Sequence, residues 1–534
     1  MVCRGSLMQG GESMAKACLN LENVRADGRQ VSPVKTIAGS VFVLLLATFV
    51  TIQCFLPLKT AVKIGADEGF EPAKAILSVH GYKFYSEVWS DQPPVYAFLL
   101  SQIVKHISSE IFWQRLLTVA FAIILLSGAF WLIVRIHGWV VASLATFCVM
   151  ASPGFIELSC SAMQEIPALT PIVVALSILV CSRPGRGCFP EILAGFVLAF
   201  GLQIKLIGAL YLPLLGVILW QRQRFGERQH VENAWAIGGL FSRRLLRSAL
   251  VFGGSLALAF VAIDWLIDRG AYLKYFRQSW TAHFAPPDSF EHGSPAQYSF
   301  KWSVLLKNWD ATVPALIGMI VLVRQACRRP LLLVPGVWLV LTLMVFGVHK
   351  PWWNYYYVHH AVPLGWCAAI GIAALWQGAS NGRKPWLRWL LAVACVGMLV
   401  WMGSRIWLQI KGIRESPQLY SELVLTEILR LKPFTKLLYT DDPIYSFHAG
   451  IPLPPKLGVI SLKRFWSGDL TSARLVEEIK AAEPGLILLG NMTHDMPASD
   501  WLDTEYRLIF QDSEHRLYAS RSLLARARQS GVVP

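Results

Sequence analysis

The sequence predicts an α-helical, polytopic membrane protein with a C-terminal soluble α/β domain. Three observations carry that prediction. Of the 534 residues, 54% are hydrophobic and only 16% charged, against about 45–50% and about 25% in ordinary soluble proteins. Apolar runs long enough to cross a bilayer recur through the first 410 residues, separated by short charged connections. Beyond residue 410 the pattern changes to alternating helix-like and strand-like segments.

The net charge of +15 invites a nucleic-acid reading. However, the basic residues fall mostly between the apolar runs, where they report topology and contact with anionic lipid. No nucleic-acid partner is expected. Eight of the ten cysteines lie in or beside apolar runs, and no pair has zinc-site or CxxC spacing, so they read as packing residues. Residues 1–36 are polar and lack a signal peptide's apolar core and cleavage site; they are expected to form a cytoplasmic tail. The first apolar segment, about 37–57, then stays as an anchor.

Eleven spans are placed near 37–57, 111–135, 139–155, 165–182, 188–203, 205–221, 247–267, 311–326, 331–348, 357–378 and 389–408. Arg135, then Arg183 and Arg186, then the arginines at 222–247, then Arg324, Arg328 and Arg329, then Arg383, Lys384 and Arg388 occupy alternate connections. With the N-terminus cytoplasmic, all fall inside, and the odd span count leaves the C-terminal domain outside. The outer side then carries residues 58–110, a long loop at 268–310, short loops at 156–164 and 349–356, and everything after 408. The 268–310 loop, with HFAPPDSFEHGSP in its middle, reads equally as a functional lid or a plain connector. Residues 411–534 read as the soluble α/β domain: helices at YSELVLTEILRLK and TSARLVEEIKAAE, strands at TKLLYT and GLILLG, and a closing hairpin from YRLIFQD and HRLYAS.

The stretch with the most chemistry is 64–96, IGADEGFEPAKAILSVHGYKFYSEVWSDQPPVY, where the first span leaves the bilayer. Asp67 and Glu68 open a helix that closes at Gly81. A carboxylate beside an apolar interface has a raised pKa and can take a proton from a hydroxyl nucleophile; the plainer alternative is a solvated helix start. Asp91-Gln92 follows Trp89, and Pro93-Pro94 stiffens the backbone so that Asp91 points back towards the membrane, or simply makes a turn. Glu165 begins a span, either as a dipole-complementing acid or as a further carboxylate in the same outer cavity. Lys205 interrupts a long apolar run, where it snorkels or meets an anion such as a lipid phosphate.

His349, Lys350, His359 and His360 bracket the aromatic run PWWNYYYV, which contains Tyr356. The aromatics fit an interfacial belt, whereas the His and Lys residues suit phosphate or sugar. Asp441-Asp442 reads as a turn, and Asn491-Met492-Thr493 is a weak sequon.

On these residues the chain resembles the GT-C glycosyltransferases that use polyprenyl-phosphate sugars, within them the group of protein O-mannosyltransferases and the lipid A aminoarabinose transferase. The likeness rests on Asp67-Glu68, on W-x-D-Q-P-P at 89–94, on HKPWWNYYYVHHAVP at 349–363 and on Glu165, and covers about residues 40–410. It implies a GT-C-like fold with Asp67 as general base, Asp91, Glu165 and Glu68 positioning acceptor and sugar, and Lys205 neutralising the departing phosphate. Gln92, His349, Lys350, Tyr356, His359 and His360 are the further substrate-binding candidates. Members related to the aminoarabinose transferase often have Lys where this chain has Gln92, which shifts phosphate binding onto Lys205 and the 349–360 cluster. The implied reaction is a single inverting displacement from a polyprenyl-phosphate sugar to a glycolipid, polysaccharide or protein acceptor in the cell envelope. No cofactor is required by the resemblance, although a divalent metal assists some members. A transporter or flippase of lipid-linked sugars, or an inactive relative serving as an assembly partner, are the competing readings.

Overall fold

Helices occupy all eleven expected spans in the computed structural model. It describes residues 33–60, 67–182, 188–225, 243–284, 292–326, 330–381, 384–416, 420–490 and 500–532. The expected tail up to residue 32, Arg183, Arg186, Arg228, Arg328, Arg329, Arg383, loop residues 285–291 and Asn491-Met492-Thr493 lie outside the described residues. Helix α1 (Pro33–Phe55) leads to two helices at one end of the bundle, α2 (Asp67–Val79) and α3 (Val95–His106). The chain continues through α4 (Ile111–His137), α5 (Trp139–Met150), α6 (Glu165–Cys181), α7 (Phe189–Leu202) and α8 (Leu212–Phe225). After α9 (Arg243–Asp268) and the short α10 (Arg277–Phe284) come α11 (Trp309–Ala326), α12 (Val334–Val348), α13 (Val358–Asn381) and α14 (Pro385–Glu415). Among the described residues six helices are long and apolar enough to cross a membrane, and four shorter ones are also apolar. α3 begins at the first residue after Pro93-Pro94, where proline's missing N–H costs no helical hydrogen bond.

α13 is buried along most of its length and packs against α11, α5 and α14. The α11 crossing is close because both helices carry glycine there: a Cβ on Gly318 would overlap the Cys367 carbonyl, and one on Gly371 that of Pro314. Small residues bring membrane helices into backbone contact, where apolar side chains gain little over lipid. α4 packs on α6, α6 on α7 and α7 on α9, while α1 and α14 present most of their surface outwards.

The C-terminal unit contains the expected elements. α15 (Glu422–Leu431) precedes β1 (Leu438–Thr440), and α16 (Pro443–Ala449), α17 (Leu462–Trp466) and α18 (Ser472–Ala482) form the crossover to β2 (Leu486–Leu489). The chain ends with the hairpin β3 (Tyr506–Gln511) and β4 (Arg516–Ser520) and with α19 (Arg521–Gln529). Strand order is β1-β2-β4-β3, with β1 parallel to β2 and the other pairs antiparallel. A parallel pair needs such a crossover, and a hairpin does not. β2 is buried on both faces: Leu486 and Leu488 enter one core, Ile487 and Leu489 the other. The first of these cores also contains Ile76 of α2, Ile111 and Ala162. The soluble unit therefore shares its interior with the end of the membrane bundle that carries α2, and Gly69 of α2 lies against the Ile444 backbone at the start of α16. Asp442 caps α16 by accepting from Ile444 N, as the turn reading of Asp441-Asp442 expected.

Candidate active site

A cavity of ≈ 240 Å³ opens between α2, the 89–92 loop, the start of α6, the α7–α8 connection, the 353–356 segment and α17. Four carboxylates (Asp67, Glu71, Asp91, Glu165) and three lysines (Lys74, Lys205, Lys463) line it, with Gln92, Trp353, Tyr355 and Tyr356. Asp67, Glu71 and Lys74 come from one face of α2, at spacings of four and three residues. Pro93-Pro94 leave Val95 as the next backbone donor, and its N–H bonds the Gln203 carbonyl at 3.0 Å. That bond ties the Asp91 loop to the turn that carries Lys205.

The lysines are matched to three of the acids. Lys205 Nζ lies 2.5 Å from Glu165 Oε1 and stacks over Tyr356, 5.0 Å from the ring centre. Of the two sequence readings for Lys205, it is the anion that the structure supplies. Lys74 pairs with Glu71 and donates to Ser90 Oγ at 3.2 Å. Lys463 Nζ is 3.7 Å from Asp91 Oδ2 and 3.0 Å from His283 Nε2. Asp67 is the exception. It has no ion-pair partner among the described residues, and the Tyr355 hydroxyl donates to it. Burial pushes its carboxyl above the ordinary value and the charge of Glu165 adds to this, while the Tyr355 bond, Lys463 and Lys205 offset only part.

Asp91 has the opposite environment. Burial alone would raise it, but Lys463, His283, Lys74 and a hydrogen bond from Gln92 hold it down at about 2. Gln92 Nε2 donates to Asp91 Oδ2 at 2.9 Å, and Ser279 Oγ of α10 donates to the Asp91 carbonyl at 2.7 Å. His283 is kept neutral: burial and the neighbouring Lys463 lower its pKa to about 4. Its Nδ1 faces the Ser279 carbonyl at 2.9 Å. A carbonyl only accepts, so Nδ1 carries the proton and Nε2 presents a lone pair to Lys463. The 268–310 loop thus contributes directly to the site through α10.

Five expected site residues lie elsewhere. Glu68 is fully buried beneath α2, where Arg115 Nε and Nη2 each donate to it at 2.9 Å and Ala162 N donates at 2.7 Å. It braces α2 and has no face on the cavity. His349 is half-buried at the end of α12, 6.2 Å ring to ring from Tyr356, and Lys350 is exposed. His359 and His360 are fully buried in the first turn of α13, bonding Tyr211 Oη and Thr342 Oγ1, each at 3.1 Å. The belt reading of the aromatics also needs correction, because Trp353, Tyr355 and Tyr356 line the cavity. Glu71, Lys74, Tyr355, His283 and Lys463 were missed. The helical spacing from Asp67 would have found the first two; nothing local points to Lys463.

A divalent metal fits this donor set poorly. Among the described residues no group of three or more His, Cys, Asp or Glu side chains is arranged to hold one. The Asp91 carboxylate and the His283 imidazole already share the Lys463 ammonium at the cavity wall.

No protein-family model and no curated protein matches the sequence. Solved structures do. ArnT from Cupriavidus metallidurans, bound to undecaprenyl phosphate, superimposes with a TM-score of 0.55 at 13% identity over 90% of this chain and 98% of that one. The Archaeoglobus fulgidus oligosaccharyltransferase in its apo form gives 0.53 at 10% identity over 85% and 69%. The archaeal oligosaccharyltransferase AglB from the same organism, in complex with an inhibitory peptide and a dolichol-phosphate, gives 0.52 at 10% identity over 86% and 70%. At such identities the likeness carries architecture alone, and the architecture is that of a multi-pass membrane protein with the GT-C fold.

Proposed function

We propose that the chain is an inverting membrane glycosyltransferase, moving a sugar from a polyprenyl-phosphate donor to a hydroxyl acceptor at the extracytoplasmic face of a bacterial plasma membrane. The observation that carries this reading is the charge pattern of one cavity: three carboxylates each matched by a lysine, and a fourth, Asp67, held without a cation and with a raised pKa. A carboxylate so placed is a general base. The acceptor hydroxyl gives its proton to Asp67 as its oxygen attacks the anomeric carbon. The bond from that carbon to the phosphate oxygen breaks, and the electron pair leaves on the polyprenyl phosphate. Lys205 keeps ammonium protons beyond the one given to Glu165 and meets the charge growing on that phosphate.

Glu165 Oε2 and Glu71 Oε2 are buried without a hydrogen-bond partner among the described residues, in side chains that line the cavity. They are suited to accept from sugar or acceptor hydroxyls. Asp91, Gln92 and Tyr356 complete the binding walls. The fold shared with ArnT bound to undecaprenyl phosphate and with AglB in complex with a dolichol-phosphate supports a lipid-phosphate donor. A path through the bilayer is disfavoured, because Glu165 and Lys205 pair at helix ends and Asp264 lies one turn from the end of α9.

Placing Arg135, Arg243, Arg244, Arg247, Lys384 and Arg388 in the cytoplasm puts the cavity and the C-terminal unit outside. The division proposed is a tail at 1–36, a transmembrane catalytic domain at 37–410 with outer loops 58–110 and 268–310, and an outer α/β domain at 411–534. The test is transfer from a panel of radiolabelled polyprenyl-phosphate sugars to envelope lipid extract by protein in nanodiscs, with the product anomer read by NMR. Transfer with inversion supports the reading. Retention, or label carried across the bilayer without transfer, overturns it.

A further inference from the structure

The proposed proton transfer runs through Asp67 and does not use the Asp91 corner, yet that corner is the more heavily built. Its cation comes from far along the chain, in the soluble unit. The Lys463 side chain is only 11% exposed. Its neighbour Arg464 stacks on Trp89, 4.6 Å from the ring centre, while donating to the carbonyls of Lys456 and Val459 and to Asp469. Gly458, just upstream, lies against Leu77 and Val88. The segment 458–464 therefore clamps the loop that presents Asp91, and the clamp fixes the path of the Lys463 stem.

At the tip of that stem, the Asp91 carboxylate and the His283 Nε2 lone pair converge on one ammonium. A carboxylate and an imidazole lone pair are also donor types that bind a divalent cation. Here the position is held by a covalently attached charge that needs no loading from solution.

We propose that Lys463 is the resident cation of this site, a positioning residue supplied by the soluble domain that holds Asp91 and His283 where a divalent ion would otherwise be needed. Docking of the soluble domain then completes the site, and the site works without metal. The inference rests on the proposed function for its activity measurements only.

The test compares wild type, Lys463→Met, which keeps the apolar stem, and Lys463→Arg, which keeps the charge, as full chains in nanodiscs with matched melting curves. Transfer is measured with and without a chelator, and zinc binding by titration calorimetry. The expected result is wild-type transfer unchanged by chelator, a loss of about 30-fold or more in Lys463→Met, and a loss within about tenfold in Lys463→Arg. Zinc is expected to bind Lys463→Met at least about tenfold more tightly than wild type. Chelator-sensitive wild-type transfer restored by metal, full activity in Lys463→Met, or equal zinc affinity in the two proteins overturns the proposal. If no protein transfers any sugar, the proposed function has failed, and the zinc titration still decides this inference.

Discussion

The segments 67–92 and 349–360 each place ionisable residues beside aromatic ones at the same end of the bundle, with opposite outcomes. The first delivers Asp67, Glu71, Lys74 and Asp91 to the cavity. The second delivers its aromatics, Trp353, Tyr355 and Tyr356, and sends His359 and His360 into the core. Depth explains the difference. α2 and its loop lie outside the span, where carboxylates keep their charge by pairing with lysines or with a hydroxyl. α13 starts at Val358, and already within its first turn His359 and His360 are fully buried, where a charged imidazole is too costly. The two histidines instead serve as neutral partners for Tyr211 and Thr342. A motif that straddles the interface is thus divided by depth, and similarity in sequence spacing does not mean similarity in role.

The sharpest contrast lies within the first segment, between the adjacent acids Asp67 and Glu68, and it sets the largest expected effect. Glu68→Gln removes the countercharge of a buried Arg115 and should cost about 3–5 kcal/mol. The loss is expected in chemical denaturation and in folded yield, before any kinetic change. Asp67→Asn should do the reverse, leaving the melting curve in place and lowering transfer about a hundredfold or more. An equal effect of both variants on stability would erase the distinction between brace and base.

A smaller effect tests the environment of Asp67. Its pKa is raised, so the ionised base is lost as pH falls through a value above the ordinary 3.8, and the acid limb of kcat/KM should lie above that value. The Tyr355 hydrogen bond lowers the pKa, so Tyr355→Phe should move the limb still higher, with transfer reduced about tenfold at most. A limb that moves down would place the hydroxyl elsewhere. Asp91, held at about 2, remains ionised across this range and should contribute no limb.

The smallest effects belong to the second segment. His359→Gln and His360→Gln should each cost about 1–2 kcal/mol in stability, with transfer within about threefold of wild type. Lys350→Ala should change stability by no more than about 0.5 kcal/mol, as exposed substitutions do. A large kinetic loss with unchanged stability in either histidine variant would bring that residue back to the site.

The sequence by itself determined the helices at the eleven expected positions, the change of character after residue 410 and every strand of the C-terminal unit, because these follow from local apolar periodicity and from what a bilayer or a small core can bury. It also marked Asp67, Asp91, Glu165 and Lys205, since charge beside an apolar run is conspicuous. The tertiary structure alone decided which charges meet. Glu68 and Asp67 are neighbours, but a helix turns each residue by about 100°, so one faces Arg115 and the other the cavity. Lys463 sits in an ordinary surface-like stretch, and only the packing of α16 and α17 onto α2 and Trp89 brings its ammonium to Asp91. Periodicity is local and can be read along the chain. Charge pairing depends on distances in space, and those exist only once the two units have docked.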